Sequence, residues 1–428
     1  MKKITLHPIS YVSGNVNLPG SKSISNRILL LSALSNTKTV LKNLLNSEDV
    51  NYMLNALKIL GISCDLSDYN KLCVVHGSWN DIKYQKKQNS IIFLGNSGTS
   101  MRLLTAVLAV AKNINITLTG NLRMQHRPID TLVNGLQQCG AKIKYLNNIG
   151  YPPIKIYGGF KGGYIIINES VSSQFISAIL LAAPLAERDT IIEINCKVVS
   201  TTYIQMTIEM MRHFMIKIDN KKYNKFYIKG NQEYISPKTY FIEGDATAAS
   251  YFLAAAAIKG KSVIVNGVGK NSIQGDLKFA KILNKLGAII NIGEQYIKCE
   301  KYDLSAIDID MGDFPDSAMT LAMLALFAHG EMIIRNIYNW RVKETDRLHA
   351  MSTELIKIGA LVKEGYDYIR IISPKSFRYA CINTYDDHRI AMCFSLVALS
   401  NVSVTILNPN CVRKTFPCYF HEFKKISY

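Results

Sequence analysis

The sequence predicts an α/β fold of two similar domains, each built from three copies of a β-α-β-α-β-β unit. Three observations carry this. The chain has 428 residues, long for one hydrophobic core, so two domains are the default expectation. Six segments share one pattern, a small polar turn, then about a dozen apolar residues, then a short β-like run. Their starts, near Ser21, Asn96, Ser172, Asp245, Asp316 and Asp387, lie 75, 76, 73, 71 and 71 residues apart. That period is long for a solenoid, the other architecture that regular repetition signals.

The apolar runs fall at 28–34, 103–110, 175–185, 251–258, 319–328 and 390–399. They are rich in Ala and Leu and apolar on nearly every side, which predicts helices inside a domain. Strand-like stretches follow at 39–44, 114–120, 190–196, 262–268, 331–337 and 403–409. Amphipathic helix-like segments such as 50–60 and 276–286 come between, with further strands after them. Crossovers are expected near Pro19-Gly20 and Tyr240. Residues 1–20 plus 241–428 then form one domain and 21–240 the other.

Each inner helix begins with a polar tip. A helix N-terminus offers free N–H groups and a partial positive charge, so several tips converging on one cleft would make a polyanion pocket. For any single tip, Ser, Thr or Asp can equally be an ordinary N-cap.

Composition narrows the function. The 48% apolar content is globular. No run approaches the ~18 apolar residues of a membrane span, and the charged start lacks the apolar stretch of a signal peptide. Nine cysteines without one Cys-x-x-Cys argue against a disulfide framework or structural zinc, and for a reducing cytoplasm. The net charge of +18 raises nucleic acid as a partner. However, 37 of the 50 basic residues are Lys, and Lys, Ile, Asn and Tyr share AT-rich codons. No long basic block or aromatic-studded basic stripe supports the nucleic-acid reading. The 13 arginines are more informative. Arg27, Arg102, Arg123, Arg127, Arg341, Arg347 and Arg389 all lie in short polar motifs, where a planar fork suits carboxylate and phosphate.

The motifs are PGSKSISNR (19–27), LGNSGTSMR (94–102), RMQHRP (123–128), VSSQF (171–175) and STTY (200–203) in the first half. The second half has FPD (314–316), NWRVKETDR (339–347), YDDHR (385–389) and KTFP (414–417). Lys22 sits at a helix mouth, where it can meet a phosphate or move a proton. Gly95 and Gly98 allow close backbone approach to a ligand. Neither a P-loop nor a Rossmann glycine pattern is present in a credible context. Asp316 could be only a helix cap, and Lys343, Glu344 and Arg347 only surface pairs at i,i+3 and i,i+4.

These strings, with EGDATAASYFLAAAAIKG (243–260), resemble the 3-phosphoshikimate 1-carboxyvinyltransferase (EPSP synthase) family from about residue 4 to 425. The resemblance implies an inside-out α/β barrel in each domain, with the active site in the interdomain cleft. It also implies that residues 21–240 serve shikimate 3-phosphate, and 1–20 plus 241–428 serve phosphoenolpyruvate and carry the catalytic Asp and Glu. Shikimate 3-phosphate would be held by Lys22, Ser23, Arg27, Ser172, Ser173, Gln174, Ser200, Tyr203, Asp316, Asn339 and Lys343. Phosphoenolpyruvate would be held by Lys22, Asn96, Gly98, Thr99, Arg127, Gln174, Arg347, Arg389 and Lys414, with Arg102 in support. Asp316 is the expected base toward the ring hydroxyl and Glu344 the expected proton donor, with Lys22 assisting. A monomer acting on two small molecules is implied, with no metal, cofactor, membrane or nucleic-acid partner. Three departures from the family pattern stand out: Thr201-Thr202 for Lys-Pro, Leu103 for Pro, and Asp386 for Asn. A related transferase acting on UDP-N-acetylglucosamine typically carries a reactive Cys or Asp on a loop, and the stretch 123–127 has no Cys.

Overall fold

Apolar and small residues on most sides leave a helix no broad polar face to turn toward water. The computed structural model, which describes residues 2–69, 71–83, 88–168 and 172–428, contains six such helices. They are α1 (Lys22–Leu34), α2 (Gly98–Val110), α3 (Ser173–Ala182), α4 (Ala246–Lys259), α5 (Pro315–Leu324) and α6 (His388–Ser395). All of α2 and α6 is buried. In the other four, the positions that escape full burial are Lys22 and Ser23, Gln174, Lys259 and Asp316. Apart from Lys259, each of these lies in its helix's first turn. The inner helices therefore open almost only at their N-terminal mouths.

The chain divides into two units, Ser21–Ile242 and residues 1–20 with 243–428. The first has three four-stranded sheets, all of one plan. Gln88–Phe93 runs parallel to Asn115–Thr119, which pairs antiparallel with Ile154–Gly158, and that in turn with Lys142–Tyr145. Helix α2 connects the parallel pair, as a parallel crossover requires. Tyr164–Ile167, Thr190–Ile194, Lys225–Ile228 and Asp219–Lys221 repeat the order around α3. In the remaining sheet, the parallel partner of Lys38–Lys42 is Thr239–Phe241, from the far end of the unit. Phe241 pairs with Lys42, and the Ile242 N–H donates to the Lys42 carbonyl. The boundary accordingly falls after Ile242, two residues past the expected crossover.

The second unit follows the same plan around α4 and α5. Here the first strand comes from the N-terminus: Val12–Asn17 runs parallel to Gly260–Asn266. The sheet beside α6 has three strands, Lys3–Leu6, Val404–Leu407 and Ala380–Ile382. In place of a fourth strand, the chain forms a 3-10 turn (Pro409–Lys414) and a short helix (Tyr419–Lys425). Buried aromatics such as Trp340, Phe252 and Tyr419 fill the core. Among the described residues the nine cysteines are free, and no helix is long and apolar enough to cross a membrane.

Candidate active-site residues in the two units

Helix capping separates the six mouths into two kinds. Ser172, Asp245 and Asp387 cap α3, α4 and α6, accepting from Gln174 N, Ala248 N and Arg389 N. The capping positions of α1, α2 and α5 (Ser21, Ser97 and Phe314) make no such side-chain bond. Asp316 is one residue inside α5 and is no cap. The three mouths without a side-chain cap carry Lys22, Gly98 with Thr99, and Asp316.

In the unit Ser21–Ile242, α2 packs on α1 and α3. The Lys22 ammonium lies 3.4 Å from Asp49. Arg27 is buried; its Nε donates to Thr207 Oγ1 at 2.8 Å and its Nη1 to the Ser23 carbonyl at 3.0 Å. Its Nη2 has no hydrogen-bond partner among the described residues. Burial pushes this guanidinium down to about 10, Tyr203 partly opposing it. A buried cation of this kind gains from an incoming anion.

At the mouth of α2, Arg127 Nη1 donates to the backbone and side-chain oxygens of Asn96, both at 3.1 Å. Arg102 donates to the Gly98 carbonyl and Gln174 Oε1 at 3.1 Å, and to the Pro128 carbonyl at 3.0 Å. Its guanidinium also lies over the Phe175 ring. A Cβ on Gly98 would collide with the heads of both Arg102 and Arg127. The absence of a side chain there lets two cations approach one helix mouth.

Ser173 is buried, and Ser200 opens the helix Thr201–His213 from a left-handed conformation (φ 56°). The Tyr203 N–H donates to the Ser200 carbonyl at 3.0 Å. Thr201 and Thr202 form the first turn of that helix, and Leu103 is fully buried in α2. Val171 lies outside the described residues.

The other unit gathers opposite charges. Arg347 is almost wholly buried and meets three carboxylates: Asp316 at 3.0 Å, Glu344 at 2.7 Å and Asp387 at 2.7 Å. Glu344 also lies 3.1 Å from Lys414, and Asp316 lies 2.9 Å from Arg389 and 3.7 Å from Lys343. Burial pushes the Asp316 carboxyl up, but Arg389, Lys343 and Arg347 together outweigh it and hold it well below the usual carboxylate range. Arg389 donates to Tyr251 Oη at 3.3 Å. Asn339 is buried, and its Oδ1 has no hydrogen-bond partner among the described residues.

Two readings of the motifs change. Lys343, Glu344 and Arg347 do not stripe a surface helix; Lys343 and Glu344 precede the helix Arg347–Lys357, and Glu344 is buried. Arg341 does not wait for an anion. Its guanidinium is engaged by Asp346, Glu364 and the carbonyls of Gly365 and Tyr366. Sequence reasoning passed over Asp387 and Tyr251 as site groups, for neither lies in sequence near the acid or base it meets. Asp386 adopts a left-handed backbone (φ 55°), which Asp tolerates nearly as well as Asn, and accepts from Asn408.

Helices buried except at mouths that carry Lys, Arg and Asp define an α/β protein built to handle anions. The family model described as EPSP synthase (3-phosphoshikimate 1-carboxyvinyltransferase) matches residues 6–423. The chain is 58% identical over 423 residues to the 3-phosphoshikimate 1-carboxyvinyltransferase of Buchnera aphidicola subsp. Baizongia pistaciae, covering 99% of this chain and 98% of the relative. It is 55% identical to that of Escherichia coli strain SMS-3-5, covering 100% and 99%. The solved EPSP synthase of Acinetobacter baumannii superposes with a TM-score of 0.82 at 26% identity, covering 100% of this chain and 98% of that one. The chain belongs to the EPSP synthase family.

Proposed function

We propose that the chain transfers the enolpyruvyl group of phosphoenolpyruvate to the 5-hydroxyl of shikimate 3-phosphate, releasing phosphate and 5-enolpyruvylshikimate 3-phosphate. The observation that carries this is the largely buried cluster of Asp316, Glu344, Arg347, Arg389 and Lys414, with base, acid and anion-binding groups linked by ion pairs. The reaction adds the hydroxyl oxygen to C2 while C3 gains a proton, then expels phosphate as C3 loses one. It needs a base, an acid and several fixed cations.

Asp316 takes the hydroxyl proton, which leaves with the phosphate, and Glu344 supplies the C3 proton and takes it back as C3 loses one in the elimination. Held low by three cations, Asp316 is a weak base. Phosphoenolpyruvate drawing Arg347 and Arg389 toward its own charges would raise its basicity when a substrate is bound. Lys22 assists proton transfer and stabilises the bridging phosphate oxygen. Lys22, Ser23, Arg27, Ser172, Ser173, Gln174, Ser200, Tyr203, Asn339 and Lys343 hold shikimate 3-phosphate. Lys22, Asn96, Gly98, Thr99, Arg127, Gln174, Arg347, Arg389 and Lys414 hold phosphoenolpyruvate.

The same reading gives each domain three β-α-β-α-β-β copies in an inside-out barrel, and a monomer acting in the cytoplasm. It asks both residue sets to serve one substrate pair. Incubation with shikimate 3-phosphate and phosphoenolpyruvate should release phosphate and form the enol ether. If neither product forms with the folded protein, the reading is wrong.

A further inference from the structure

Tyr251 lies on α4, inside the string 243–260 that carries the family resemblance but outside every residue assigned to a substrate. Its side chain is fully buried, edge-on to Tyr419, with ring centroids 5.7 Å apart. Burying a hydroxyl costs free energy unless it is bonded, so a position needing only an aromatic ring is better filled by Phe. The Tyr251 hydroxyl does have a partner: it accepts from Arg389 Nη1 at 3.3 Å. The other terminal nitrogen of the same guanidinium, Nη2, reaches Asp316 Oδ2 at 2.9 Å. One planar head is thus gripped at two corners, by α4 and by α5, while its own chain rises from α6. A guanidinium held at two corners has little rotational freedom left, and an anion arriving at it need not freeze that motion.

We propose that Tyr251 is a positioning residue for phosphoenolpyruvate: its hydroxyl sets the plane of Arg389, and through it the recognition of the substrate's anionic group. The inference rests on the reading that this chain uses phosphoenolpyruvate and that Arg389 binds it. Tyr251 is fully buried and acts through Arg389.

The test is steady-state kinetics of Tyr251→Phe on the full chain, varying each substrate in turn, with thermal unfolding followed in parallel. Tyr419→Phe is the control. That hydroxyl is equally buried and bonds Ser395 Oγ and the Met392 carbonyl rather than an arginine. Tyr251→Phe should raise KM for phosphoenolpyruvate about tenfold, the scale of one lost hydrogen bond to a charged group. KM for shikimate 3-phosphate should stay within about twofold of the parent. Tyr419→Phe should lower Tm and leave both KM values alone. An active parent with an unchanged phosphoenolpyruvate KM in Tyr251→Phe overturns the inference. Equal rises in both KM values would also overturn it, as the mark of general loosening. An inactive parent would instead overturn the functional reading on which the inference rests.

Discussion

Arg347 Nε donates to Asp387 Oδ2 at 2.7 Å, and both side chains are essentially closed to solvent. Asp387 caps α6 with its other oxygen, Oδ1, accepting from Arg389 N. One carboxylate therefore ties down the helix that carries Arg389 and the arginine that spans Asp316 and Glu344. Removing one member of a buried pair leaves the other without its counter-charge. Asp387→Ala should cost about 3–5 kcal/mol of unfolding free energy. Urea denaturation measures it, and a loss under ~1 kcal/mol would mean that Arg347 re-pairs fully with Asp316 and Glu344.

The low folded pKa of Asp316 has a fixed sign in linkage. An unfolded Asp titrates near ~3.9, and the folded carboxyl lies below that. Its contribution is complete above the unfolded value and is lost as pH falls through the folded one. Between about pH 4 and pH 2 the parent should lose stability more steeply than Asp316→Asn. Parallel urea midpoints across that interval decide it, and identical slopes would rule it out.

Gly98→Ala places a methyl group against two guanidiniums at one helix mouth. Arg102 and Arg127 must shift, and Gln174 with them, since Arg102 holds its side-chain oxygen. KM for phosphoenolpyruvate should rise about tenfold or more with the fold intact. Circular dichroism checks the fold and initial rates the affinity.

Glu344→Gln keeps the shape of the side chain and removes its acid–base chemistry. Turnover should fall about a hundredfold or more, with shikimate 3-phosphate still bound in equilibrium titration. Near-parent turnover would take the proton-donor role from Glu344.

The helical core was legible because its signal is local. The run 251–258 falls within α4, 103–110 within α2, and the strand-like stretch 114–120 brackets Asn115–Thr119. Among the charged groups, Glu344 and Arg347 could be paired from a spacing of three residues. Arg347 with Asp387 could not, being 40 positions apart, nor could Arg389 with Tyr251, 138 apart. The first contact exists only because the helix Arg347–Lys357 packs on α6, and the second because α4, α5 and α6 pack together, α5 against each of the others. Arg341 shows the converse: a motif placed it among anion-binding arginines, while Glu364 on a neighbouring strand engages it. Residue type reports what a group can bind, and packing decides what it meets first.

The parallel pairing of Val12–Asn17 with Gly260–Asn266 also sets an order of events during synthesis. Ser13 and Ser262, joined by a hydrogen bond in that sheet, are 249 positions apart. The segment Ser21–Ile242 can finish folding as soon as Thr239–Phe241 emerges to close its first sheet. Val12–Asn17 must wait through all of that translation with a bare strand edge, at the roughly 5–20 residues per second of a ribosome. A strand of mixed polarity, VSGNVN, waits more safely than an apolar one would. The birth of the protein is thus asymmetric: one half is complete before the other can begin to close.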